Sequence, residues 1–163
     1  MKILFFLSLF FVTFILSACL EDVYRGSSLA KSMAFRQWTV EHAKDGDAAY
    51  QYKAGQLYCC GERPDYDNVE ALHWFCEAAR NGQRDAMLEV GRMYEEANTF
   101  VGDVIPRDLM LAHTFYTLAQ KHENKEAEEK LTHIKKFISE EDIKKSELLV
   151  SMWPNIHCGV RRR

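Results

Sequence analysis

Proline is scarce. Only three prolines occur in 163 residues, at positions 64, 106 and 154, so little in the body of the chain interrupts a helix. Runs of β-branched residues are also few, which argues against a β architecture. A basic surplus is missing: 21 Lys and Arg face 24 Asp and Glu, for a net charge of −3. That balance excludes an ordinary nucleic-acid binder, and the one basic cluster, Arg161-Arg162-Arg163, lies at the very end. No glycine-rich phosphate loop is present, and no carboxylate pair stands apart from ordinary charged helix faces. The longest apolar stretch, Ile3 to Leu16, is interrupted by Ser8 and Thr13 and falls short of the about 20 residues a spanning helix needs.

That stretch follows Met1-Lys2 and has the length of a signal-peptide core. It ends in Leu16-Ser17-Ala18-Cys19, which resembles the lipobox of bacterial lipoproteins. The resemblance implies that residues 1–18 are removed, that the Cys19 thiol carries diacylglycerol, and that the new amine is acylated. Two or more acyl chains anchor a protein stably, where one holds it marginally. Residue 20 is Leu rather than the Asp that favours inner-membrane retention in enteric-type bacteria, so the expected home is the outer membrane, facing the periplasm. Residues 19–33 then form a lipidated N-terminus and tether. The 145 residues left are about one domain's worth and, without Lys2, hold 20 basic side chains against 24 acidic ones.

The remaining chain repeats itself. Gly46, Gly55, Leu57 and Tyr58 recur 36 residues later as Gly82, Gly91, Met93 and Tyr94, and Trp38 maps onto Trp74. Beyond that the offset is 41: Asp67, Ala71, Trp74, Phe75 and Ala78 map onto Asp108, Ala112, Phe115, Tyr116 and Ala119, so the second copy has five extra residues between its helices. Each unit reads as a helix pair. A first helix is expected over about 47–59, and a second begins at Asp67, with Glu70 completing a capping box. Gly82 closes it, as Gly46 closes the helix carrying Trp38. Gly55 and Gly91 sit inside helices, where glycine costs about 1 kcal/mol relative to alanine. A close aromatic neighbour would account for them, and Trp74 and Phe115 are the expected occupants.

Ala54-Gly55-Gln56-Leu57-Tyr58, Ala71-Leu72-His73-Trp74-Phe75 and Ala78-Ala79-Arg80-Asn81-Gly82 together resemble the Sel1-like repeat, a cousin of the tetratricopeptide repeat. Val90-Gly91-Arg92-Met93-Tyr94 with Ala112-His113-Thr114-Phe115-Tyr116 and Ala119 is similar to a second copy. Residues 35–46 look like the second helix of a truncated preceding one. The resemblance implies an all-α fold, a short α/α solenoid of Sel1-like, TPR-like helix pairs over 34–153. Its repeats fall at about 47–82 and 83–123, with two C-terminal capping helices and then a basic tail over 154–163. The chain departs from the pattern in its loops, Cys60-Gly61-Glu62-Arg63-Pro64 and Glu96 to Pro106. It departs again at Gln120 and Glu123, which replace a closing alanine and glycine.

Such arrays bind partners on an extended face lined by the first helix of each pair. Gln51, Lys53, Gln56, Glu89 and Arg92 are the polar residues expected there. Phe100, Val101, Val104 and Ile105 place four apolar residues in the long loop, where they either meet a partner or fold back over the array's own core. An oxidising compartment permits disulfides among Cys59, Cys60, Cys76 and Cys158. Three pairings exist. Cys59 to Cys60 is the least favoured, and a bridge from either to Cys76 would tie two neighbouring helices. Cys60, His73 and Cys76 lack a fourth zinc ligand and match no standard finger. Ser28-Leu29-Ala30-Lys31 spells a Ser-x-x-Lys, but the Ser-Asp-Asn and Lys-Thr-Gly partners of penicillin-recognising enzymes are absent, so a β-lactamase is the least favoured reading. The expectation is a non-catalytic protein binder with no cofactor beyond the lipid on Cys19, no metal and no nucleic-acid partner. It would serve as an adaptor or assembly factor of the envelope. Small Sel1-like lipoproteins resembling this one also act as immunity proteins against type VI secretion effectors of the phospholipase type, which is the alternative.

Overall fold

The computed structural model describes residues 30–59, 66–96 and 105–159, and the regular elements among them are helices. The chain divides into two compact units, residues 1–38 and 39–163. Helix α1 covers residues 30–44, so residues 30–33, expected as tether, are already helical. Ala30, Lys31 and Met33 are good helix formers, and no breaker lies among them. Six helices follow: α2 (Ala48–Tyr58), α3 (Asn68–Arg80), α4 (Arg84–Glu96), α5 (Leu109–Lys121), α6 (Lys125–Ile134) and α7 (Glu140–Met152). Helices α2 and α3 form one antiparallel pair and α4 and α5 the next, while α6 and α7 both pack on α5.

Local chemistry sets these boundaries. Asp67 accepts the Glu70 N–H at 2.8 Å and Asp108 accepts that of Leu111 at 2.9 Å. Their backbones are nearly superimposable, at φ −141°, ψ 98° and φ −140°, ψ 96°. The N–H of each cap also donates to the tyrosine carbonyl near the end of the preceding helix: Asp67 to Tyr58 at 3.1 Å, Asp108 to Tyr94 at 2.9 Å. Both loops therefore close on the same bond although one is five residues longer. Loop entropy permits this, since doubling a loop costs only about 0.6 kcal/mol. The second loop also contributes to the core, because Ile105 is fully buried. At the ends of the pairs, Gly82 takes φ +85°, whereas the corresponding Glu123 holds φ 64° with a side chain attached. Asn124 and Ser139 cap α6 and α7, and α6 stops at Ile134.

The internal glycines face aromatic rings, one residue on from the expected ones. A Cβ on Gly55 would sit 2.5 Å from the Phe75 ring, and one on Gly91 would sit 2.5 Å from that of Tyr116. Trp74 instead packs with Ala43 and Ala54. Phe115 stacks on Tyr94 at 6.2 Å and meets Trp153 edge-on at 5.4 Å. Phe75 and Tyr116 occupy the same position in their helices, so both repeats use one clasp: a ring laid on a helix backbone. Tyr116 is held further by its hydroxyl, which donates to Glu95 Oε2 at 2.5 Å. Burial, and then Glu95, raise its pKa above the ordinary phenol value.

Between α5 and α7, His113 Nδ1 lies 2.6 Å from Ser146 Oγ, and both side chains are buried. Burial, then repulsion from Lys135, lowers the His113 pKa below 6.5 against a smaller opposing pull from Glu147.

Two measurements check these packings. Alanine favours a helix by about 1 kcal/mol over glycine, but forcing a methyl into a filled core costs about 1–3 kcal/mol. Gly55→Ala and Gly91→Ala should therefore lower the urea midpoint, and a stabilised Gly91→Ala would show that the clasp does not need glycine. For His113, the unfolded chain takes up the proton before the folded one does. Its contribution is complete above pH 6.5 and is lost as pH falls below that value toward the folded pKa. His113→Asn should flatten the fall in unfolding free energy over that window; an unchanged slope would clear His113 of the effect.

Candidate functional site

The first helices of the two pairs do not close against each other. Between them lies an open cleft of about 390 Å³, lined by Gln56 and Cys59 at the end of α2, Phe75 of α3, and Glu89, Arg92, Met93 and Glu96 of α4. Positions 89, 92, 93 and 96 fall on one face of α4 because residues three and four apart are neighbours on a helix. Phe75 and Met93, both buried, make the floor apolar. The rim is charged. Arg92 Nη1 lies 3.2 Å from Glu89 Oε1. Burial opposes the arginine's charge, but Glu89, Glu126 and Glu96 outweigh it and raise its pKa. The cleft thus offers one guanidinium flanked by carboxylates above an apolar base, which suits a peptide segment or side chain of a partner.

Of the residues expected on this face, Gln56, Glu89 and Arg92 come together. Lys53 does not line the cleft; it is exposed, with Nζ 5.0 Å from the Tyr50 ring centre. Gln51 is not free for a partner. It is buried, its Nε2 donates to the Ala43 carbonyl at 3.2 Å, and its Oε1 accepts from Asn81 Nδ2 at 2.8 Å. It joins α2 to the end of α1 and to the C-cap of α3. Ile105 is likewise lost as a contact residue: an apolar side chain on that loop is worth more in the core than in water, and it is fully buried there. Phe100, Val101 and Val104 lie outside the described residues, as do Cys19, Ser28 and Cys60. Sequence reasoning missed Phe75, Met93 and Glu96, and also Tyr52, whose ring packs 5.6 Å from that of Phe75. The spacing of Tyr52 from Gln56, and of Glu89 from Met93 and Glu96, is the helical signal that could have found them.

Glu96 also lines a second cleft of about 430 Å³ with Glu95, Arg107, Glu129, Lys130 and His133. Glu95 is its hub. Besides Tyr116, it faces His133 Nδ1 at 3.2 Å and Lys130 Nζ at 4.0 Å, and its backbone carbonyl accepts from Arg107 Nε at 3.0 Å. Among the described residues, no three His, Cys, Asp or Glu side chains are grouped to hold a metal ion.

The disulfide pairing corrects the expected one. Cys76 bonds Cys158, 82 positions further along the chain and with Cα atoms 5.8 Å apart, rather than Cys59 or Cys60. Cys59 is itself disulfide-bonded, and Cys76 offers no thiolate for a zinc site with His73. The segment after α7, expected as the start of a basic tail, returns across α3 and α4. Ile156 is buried, its carbonyl accepts from Arg80 Nη2 at 3.5 Å, and the Gly159 N–H donates to the Tyr94 hydroxyl at 3.2 Å. Spacing along the chain does not reveal such a return.

Stacked helix pairs with aromatic–glycine clasps and closing helices define a helical-repeat protein. The fold is that of the Sel1-like repeat. It matches, with a TM-score of 0.64, the crystal structure of a protective antigen present in uropathogenic Escherichia coli strains, which displays this SLR fold. The match covers 78% of this chain at 20% identity, and this chain spans only 30% of that protein. No family model matches the chain, and no curated protein matches it by sequence.

A bridge closing a loop of this length stabilises a fold by about 2–4 kcal/mol, chiefly by restricting the unfolded chain. Reduction, or Cys158→Ala, should lower the unfolding midpoint accordingly. Identical midpoints with and without reductant would show that the returning segment does not depend on its bond.

Proposed function

We propose that this chain is a non-catalytic, lipid-anchored protein-binding module of the bacterial cell envelope that acts as an adaptor or assembly factor. The observation that carries the reading is the cleft between α2 and α4, where Gln56, Glu89 and Arg92 surround an apolar floor of Phe75 and Met93. Interfaces favour this combination, because an apolar anchor gains from burial while an arginine supplies directional hydrogen bonds. A partner would seat an apolar side chain on Phe75 and offer carbonyl or carboxylate oxygens to Arg92. The fold supports the reading, since helix-pair arrays present long, rigid binding faces. The Leu16-Ser17-Ala18-Cys19 lipobox and Leu20 support an outer-membrane anchor facing the periplasm.

The test is capture of envelope proteins by the full chain, followed by titration of the recovered partner. Arg92→Glu should weaken binding by at least about tenfold, the cost of losing about 1.4 kcal/mol at a central contact, with helicity unchanged. Wild-type affinity in both Arg92→Glu and Gln56→Ala would remove the cleft from the interface. Recovery of a one-to-one complex with a secreted toxin, in place of envelope machinery, would assign neutralisation of a type VI effector instead of assembly.

A further inference from the structure

Helix α7 is thinly held. Of its 13 residues only Ser146 and Val150 are buried, while Leu148 and Met152 face outward. Among the helices it packs chiefly on α5. Elements with few buried apolar contacts open locally at a lower free energy than the whole fold. Both ends of α7 are nevertheless tied. It follows α6 through residues 135–139, most of them exposed. Beyond it, Ile156 is buried and Cys158 is bonded to Cys76 on α3. Between those ties, one of the two buried side chains that seat the helix is polar.

That side chain is Ser146, whose Oγ lies 2.6 Å from Nδ1 of His113 on α5. Of the six histidines, His113 alone is buried. Its other ring nitrogen, Nε2, is buried too and meets no hydrogen-bonding group among the described residues. A neutral imidazole suits this setting: with Nδ1–H donating to Ser146, Nε2 is left as a lone pair. An imidazolium does not, because Nε2 becomes a second N–H donor with no acceptor and the charge has lost its water. The charges facing the ring do not offset this. Lys135, at the end of α6, repels the proton and outweighs the pull of Glu147 on α7. Elsewhere on α7, Lys145 is engaged with Glu141 at 2.8 Å and Asp142 at 3.6 Å, and Glu140 and Lys144 are exposed. Helix α5 itself carries only Lys121, at its far end.

We infer that α7 is an acid-released strap: when His113 takes up a proton, the Ser146 contact is lost and α7 lifts from α5, while the Cys76–Cys158 bond keeps the segment beyond it tied and the helix pairs stay closed on their glycine clasps. Opening returns the ring to water, where it binds the proton at the ordinary histidine value. The open form therefore accepts a proton that the closed form resists, so opening is favoured as pH falls below 6.5 and not above it. For one proton, the open population gains at most about tenfold per pH unit until the closed form also titrates. The tie at Cys158 makes the release reversible. The surface it uncovers adds Val150 to the already exposed Leu148 and Met152.

The test is hydrogen exchange of the full, oxidised chain, read by mass spectrometry with each rate corrected for its intrinsic pH dependence. Protection of α7 should fall up to about tenfold over the first pH unit below 6.5, with α2 and α3 unchanged. His113→Asn removes the titrating group, so α7 should then exchange alike at both ends of that range. Ser146→Ala should open α7 more at every pH. Glu147→Gln should leave the dependence in place. Wild-type α7 protection that ignores pH overturns the proposal. A dependence that persists in His113→Asn, or vanishes in Glu147→Gln, does the same. So does loss of protection in α2 and α3 together with α7, which would mean that the whole fold loosens. Should His113→Asn lose helix by circular dichroism, the His113 ring signal of the wild-type chain decides in nuclear magnetic resonance. It must titrate over the range in which α7 opens, and a signal constant there overturns the strap.

Discussion

Two aromatic rings lie flat on two helix backbones, and the spacing of the repeat unit follows from that contact. Phe75 rests on Gly55 and Tyr116 on Gly91, so close that a methyl group at either glycine would sit 2.5 Å from ring carbons. The approach lets the helices of a pair run nearly in touch, which leaves the alanines at 54, 71, 78, 79, 112 and 119 room for little more than themselves. It also explains why glycine is kept at a position where it weakens the helix.

The same contact shapes the binding face. With Phe75 turned onto Gly55, its other face is left as the floor between α2 and α4, and Met93 extends that floor along α4. The cleft is therefore a consequence of the clasp rather than a separate feature. The second pair makes the contact with Tyr116, whose hydroxyl reaches Glu95 and draws His133 and Lys130 around one carboxylate. One repeat ends in an apolar floor and the other in a polar hub, because Tyr116 stands where Phe75 does and Glu95 where Cys59 does.

The far end of the array is closed by covalent chemistry. The segment after α7 crosses back, buries Ile156, and bonds Cys158 to Cys76 on α3. Terminal repeats need a cap because their outer faces have no following unit. Here α6 and α7 cover α5, and the returning segment ties that cap to the preceding pair.

Much of this architecture can be read from local residue chemistry. Asp67 and Asp108 mark helix starts, Gly82 marks a stop, and the 36- and 41-residue offsets pair the copies, because caps, turns and repeat registers act within a few residues. The helix pairs and three of the cleft residues, Gln56, Glu89 and Arg92, followed from that. What local chemistry cannot reach is which side of a helix meets which neighbour across long separations. The aromatic on each glycine proved to be Phe75 and Tyr116 rather than Trp74 and Phe115. Gln51 turned inward to Ala43 and Asn81, Ile105 went into the core, and Cys76 found Cys158 across 82 residues. Each of those outcomes depends on the rotation of one helix against another, and only the packed structure sets that rotation.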